Sequence, residues 1–165
     1  MKHTISVLVE NKPGVLARIS GLFSARGFNI ASLAVGETND PTISRMTIIV
    51  DAKDERILDQ IKKQLNKLID IISVIDLTKK EFIERELILI KLEIEQKDKK
   101  HLEPLVEKFK ANILSSKERV VVVEIAAEKN KIDEFLKELE KFKITELVRT
   151  GRIAIDKHLP GGYDA

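Results

Sequence analysis

Asn11-Lys12-Pro13-Gly14 stands between two different periodicities, in the stretch VLVENKPGVLARISGLF. An alternating apolar run ends at this corner, and a helical pattern starts straight after it. Two readings of the four residues are open. The geometric one needs only a type II turn, with Pro13 presetting φ near about −65° and Gly14 taking the positive φ of the next position. The chemical one notes that a helix start carries amides without intrahelical acceptors, at the positive end of the peptide dipole. An anion can dock on such a start.

Other candidates for chemistry are few. His3, His101 and His158 lie far apart with no partner at helical spacing, and read as surface or linker residues, not metal ligands. Cysteine is absent, which removes disulfides, thiolate metal sites and thiol nucleophiles together. No nucleophile elbow, phosphate loop or dinucleotide fingerprint occurs. LPGGYDA at the C-terminus holds two glycines but precedes no helix, and reads as a frayed tail. Carboxylates fall on polar helix faces or at helix starts. No catalytic residue and no metal site is expected.

The elements that would position the corner follow from pattern. Thr4–Glu10 alternates as a strand, with Ile5, Val7 and Val9 on one face. Val15, Leu16, Ile19, Leu22 and Phe23 recur as a helix closed by Gly27. Residues 28–35 and 43–52 are strands joined by GETNDPT. A helix opened by Asp54 carries Ile57, Leu58, Ile61, Leu65 and Leu68 on one side, and residues 71–78 close the set. The order is βαββαβ. The second half repeats it: ELILIKLEIE, a helix with Pro104 near its start, NILSS and RVVVVEIAAE, a helix from Asn130, and one extended segment KITELVRTGRIAID. The expected fold class is therefore α+β, with two ferredoxin-like domains at residues 1–78 and 87–165 and a linker at 79–86. The corner is not duplicated: Gln96-Lys97-Asp98-Lys99-Lys100, its counterpart, has neither glycine nor proline.

Composition narrows the function. Residues 1–78 carry 10 Lys+Arg against 9 Asp+Glu and residues 79–165 carry 19 against 18, so neither half has the basic excess of a nucleic-acid binder. RNA-recognition domains of this topology stack bases on strand aromatics, and SRMTIIVD has none. No run of about 18 apolar residues is present to span a membrane, and the N-terminus does not resemble a signal peptide. A cytoplasmic protein is expected.

The stretch ENKPGVLARISGLFSARGFNIASLAVGETNDPTISRMTIIV resembles the amino-acid-binding ACT domain. Its segments RGFNIASLAVG and DPTISRMTI are more specific, and resemble the small regulatory subunits of acetolactate synthase, also called acetohydroxyacid synthase. ERELILIKL and VRTGRIAI extend that likeness to the second half. The resemblance implies a non-catalytic subunit in branched-chain amino acid biosynthesis. It would activate a catalytic large subunit that carries thiamine diphosphate, Mg2+ and FAD, and would confer feedback inhibition by valine, or by isoleucine or leucine. It also implies a homodimer whose ACT domains pair by the second strand, at a sheet edge. The effector site would then comprise Asn11, Lys12, Pro13, Gly14, Val15 and Leu16 of one chain with Asn29 and Ile30 of the other.

In that site the carboxylate of a zwitterion would rest on the helix amides, without any arginine. Gly14 would take the turn and leave room for the ligand. Asn11 would offer a carbonyl oxygen to the ammonium and an amide to the carboxylate. Val15, Leu16 and Ile30 would supply apolar walls, with simple core packing as the other reading of Leu16. A free-standing amino-acid-sensing ACT protein, acting on another enzyme or regulator, is the alternative.

Overall fold

The structure, a computed structural model, describes residues 2–51 and 55–158. Asp54 and the LPGGYDA tail lie outside the described residues. The chain forms two compact units, residues 1–83 with 152–165, and residues 84–151.

In the first unit, β1 (Lys2–Glu10), α1 (Val15–Ala25), β2 (Asn29–Glu37), β3 (Ile43–Asp51), α2 (Glu55–Leu65) and β4 (Ile71–Asp76) follow the ferredoxin-like βαββαβ order. The sheet order is β2-β3-β1-β4, which leaves β2 at an edge, as expected. Alternation sends Ile5, Val7 and Val9 of β1 and Met46, Ile48 and Val50 of β3 to the helix side. There they meet Val15, Ile19 and Phe23 of α1 and Leu58, Ile61 and Leu65 of α2. Gly27, at φ 68°, ends α1 in a Schellman motif: its amide donates to the Ser24 carbonyl and that of Phe28 to the Phe23 carbonyl.

The second unit contains β5 (Phe82–Glu93, from Glu84 on), α3 (Gln96–Phe109), β6 (Asn112–Lys117), β7 (Val120–Ala127), α4 (Lys129–Leu139) and β8 (Lys143–Arg149), with strand order β6-β7-β5-β8. Its core joins Ile88, Ile90 and Leu92 to Phe109, Ile132, Phe135 and Leu139. The edge strands of the two units share a detail. Asn29-Ile30-Ala31-Ser32 and Asn112-Ile113-Leu114-Ser115 both shift register between the isoleucine and the serine. The two halves thus repeat down to a single bulged residue.

Four expectations differ from the structure. Residues 79–86 are not all linker, because β5 begins at Phe82. The final extended segment is broken at Gly151, whose φ of 79° no strand continues through, so β8 is followed by a separate β9 (Ile153–Asp156). β9 belongs to the first unit, where the Ala154 amide donates to Thr47 Oγ1 and the Arg152 amide to Ser32 Oγ. Pro104 is interior to α3, because the helix starts at Gln96, two residues ahead of DKKHLEPLVEKFKA, and runs on to Phe109.

The fourth is His3, which is 5% exposed and not on the surface. Its place in β1 opposite Val50 turns the ring toward the helix side, and neither ring nitrogen has a hydrogen-bond partner among the described residues. An unpartnered buried polar group costs about 1–3 kcal/mol. His3→Leu is therefore expected to fold and to gain about 1 kcal/mol, read as a higher denaturation midpoint.

Candidate functional site

The geometric reading of the corner holds. Gly14 has φ 85° and ψ −11°, and the Val15 amide donates to the Lys12 carbonyl at 3.3 Å, closing a type II turn around Pro13 and Gly14. The turn uses one helix-start amide. The Arg18 amide takes the Gly14 carbonyl at 2.9 Å, and the Leu16 and Ala17 amides have no acceptor among the described residues. Gly14 as N-cap has no side chain to reach them. The corner is thus both a turn and a pair of open donors.

Asn11 is fixed on the opposite side. Its backbone amide donates to the Thr42 carbonyl at 2.7 Å, and its Nδ2 donates to Glu37 Oε1 at 3.0 Å and to the Pro41 carbonyl at 2.9 Å. Both side-chain partners are acceptors, so the amide nitrogen must face them and Oδ1 must face away. The expected amide contact from Asn11 to an anion is therefore already occupied, while its carbonyl oxygen stays on offer. The loop it grips carries hydrogen bonds of its own. Asp40 Oδ1 accepts from the Thr42 amide and hydroxyl, at 2.9 and 2.6 Å, and these bonds hold the Asp40 carboxyl below the usual carboxylate range. Asn11→Ala is expected to loosen this loop at a cost of about 1 kcal/mol, visible as faster hydrogen exchange at the Asn11 and Thr42 amides.

Lys12 is exposed and its Nζ meets Glu10 Oε2 at 2.7 Å, a bond that raises its pKa above the ordinary lysine value. Val15 is 3% exposed and belongs to the core, whereas Leu16 is 44% exposed beside the open amides. Of the expected apolar walls, Leu16 is the one that faces outward at this corner.

Arg18 also stands here. Its Nε and Nη2 both lie 2.8 Å from Oδ2 of Asp70, whose side chain is 8% exposed. The Asp70 backbone carbonyl accepts the Glu10 amide at 2.9 Å, so the same residue ties α1 and the end of β1 together.

Asn29 and Ile30 are not at this corner. Asn29 pairs with Asp51, which pairs with Lys2, whereas Glu37 pairs with Ser44 at the corner's end of the sheet. Eight strand steps separate Asn29 from Glu37, roughly 26 Å at 3.3 Å each. Asn29 is exposed and Ile30 is half-buried against the core. One chain alone cannot bring the two groups of residues together.

Comparison with known proteins adds a decisive observation. Residues 5–73 match the family model described as the AHAS small subunit-like ACT domain, and residues 85–158 match that of the small subunit of acetolactate synthase. The probable acetolactate synthase small subunit of Archaeoglobus fulgidus is 44% identical over 155 residues, covering 94% of this chain and 96% of that one. The Mycobacterium bovis acetolactate synthase small subunit is 43% identical over 155 residues, with 94% and 92% covered. This chain belongs to the acetolactate synthase small-subunit family.

A crystal structure of the Thermotoga maritima acetolactate synthase small subunit superposes with a TM-score of 0.88 at 34% identity, over 97% of this chain and 99% of that one. The small-subunit fold is thus common to both over nearly all of the aligned chain. Every residue described at the corner, and Asn29 and Ile30, falls within the stretch matched by the ACT-domain model of the family. Arg18, Asp70, Glu37 and Pro41 were absent from the sequence reading. Only Arg18 had a signal, its spacing of four from Gly14, which places both on one helix face. Among the described residues, no helix is long and apolar enough to cross a membrane, and no group of acidic or histidine residues is placed to hold a metal.

Proposed function

We propose that this chain is the regulatory subunit of acetolactate synthase and binds a branched-chain amino acid at the Asn11–Leu16 corner of a homodimer. One observation carries the effector site: two open helix amides stand at one end of an edge strand whose other end bears Asn29. Antiparallel pairing of β2 with its copy, about a twofold through the middle of the strand, brings Asn29 and Ile30 of the second chain to the corner of the first. The unpaired edge then gains its missing ladder. The effector's carboxylate accepts from the Leu16 and Ala17 amides. Its ammonium donates to Asn11 Oδ1 and to Asn29 of the second chain, and its branched side chain lies between Leu16 and Ile30. Lys12 and Pro13 shape the turn.

No residue of the chain is assigned a catalytic role. The catalytic large subunit would bring thiamine diphosphate, Mg2+ and FAD, and the small subunit would activate it and transmit inhibition. A ligand that bridges two chains favours one dimer geometry, and such coupling is typically about 1–3 kcal/mol, or roughly 5–150-fold. Valine and isoleucine differ by one methylene, worth about 1–3 kcal/mol at best, so the pocket assigns the branched-chain class, with valine, isoleucine and leucine as graded competitors. Reconstitution with the catalytic subunit is the test. Acetolactate formation is expected to rise on adding this chain and to fall again with valine; no change in either step rejects the proposal.

A further inference from the structure

The carboxylate half of the proposed site has so far been given only backbone amides. We propose that Arg18 supplies a side-chain contact to the effector's carboxylate, with buried Asp70 holding the guanidinium in place; this rests on the effector reading above. Arg18 is four residues beyond Gly14, and long helical side chains lean toward the N-terminus of their helix, so its guanidinium returns to the entrance. The contact with Asp70 is side-on: Nε and Nη2 both lie 2.8 Å from Oδ2. That leaves both hydrogens of Nη1 without an acceptor among the described residues. Nη1 stands 3.5 Å from the point a Cβ on residue 14 would occupy, directly beside the open corner.

Burial differs across the pair in a way that suits this role. Asp70 is 8% exposed and Arg18 50% exposed, so the acid is enclosed and the outer edge of the guanidinium faces solvent. A carboxylate seated on the Leu16 and Ala17 amides gains Nη1 as a third donor. Arginine donors in a fixed fork are well matched to a planar carboxylate. The glycine at position 14 leaves the approach to that nitrogen clear.

A purely structural Arg18 would only pin α1 to the start of β4. The test separates the two roles on the full-length chain, with L-valine as the probe. Calorimetric titration of wild type, Arg18→Gln and Arg18→Lys is combined with NMR of the arginine side-chain nitrogens during titration of wild type. The expected results are affinity at least tenfold weaker in Arg18→Gln, partial recovery in Arg18→Lys, and a saturable shift of the Arg18 guanidinium signals in wild type. Wild type that binds valine with those signals unmoved overturns the role of Arg18 and leaves the effector site standing, even where Arg18→Gln fails to fold. Wild type that binds no branched-chain amino acid overturns the effector reading itself.

Discussion

Gly14→Asp is expected to fold and to lose effector binding by two to three orders of magnitude. The fold survives because space is not limiting: a Cβ at position 14 meets only Arg18 Nη1, at an ordinary 3.5 Å. The cost to stability comes from φ, which is 85°. A residue with a Cβ pays roughly 1–2 kcal/mol in the left-handed region, and Asp is among the residues that tolerate it. Binding suffers for another reason. An aspartate immediately before α1 competes for the Leu16 and Ala17 amides, as capping carboxylates do, and draws Arg18 Nη1 as well. It also repels the incoming carboxylate, by roughly 4 kcal/mol for two charges about 4 Å apart at an effective dielectric near 20. Gly14→Ala carries the strain without the charge and is expected to lose far less affinity. Titration calorimetry on both variants, with thermal melts to confirm folding, checks the pair.

Phe23→Ala is expected to remove about 3–5 kcal/mol of stability from the first unit. Phe23 is 1% exposed and lies on the face of α1 that also carries Val15 and Ile19. Its ring meets Phe28 edge-on, with centroids 6.4 Å apart and planes at 73°. The cavity left behind would sit under the helix that presents the open amides, so site and core fail together. Against a total of about 5–15 kcal/mol for an ordinary domain, the loss is large. Hydrogen exchange at the central β1 and β3 amides is the readout, expected to accelerate by roughly two to three orders of magnitude. Unchanged protection there would mean that α1 does not depend on this ring.

Local signals were legible because they are written within a few residues. The β1 alternation, the helix in VLARISGLF, the type II turn at Pro13-Gly14 and the Gly27 terminus each follow from neighbours in the chain. The edge position of β2 followed from element order. What escaped reading depends on distant partners. Asn11 looked like a free amide, but Glu37 and Pro41, 26 and 30 residues on, take its nitrogen. Arg18 does not stand out in the sequence, since nothing local announces Asp70, 52 residues later. His3 sits at a core position on a strand where the alternation that fixes its face says nothing about a partner. β9 reads as the tail of one extended segment, and periodicity does not say which unit a strand joins. Val15 and Leu16 share a helical stripe in the sequence, and one residue of helix rotation decides that the first is core and the second is not.

A crystal structure of the full chain grown with L-valine tests the central claim most directly. The account predicts protomers paired through β2 with valine at the Asn11–Leu16 corner, its carboxylate on the Leu16 and Ala17 amides of one protomer and its ammonium within hydrogen-bond reach of Asn29 of the other. Valine held elsewhere, or protomers that leave β2 unpaired, would contradict it.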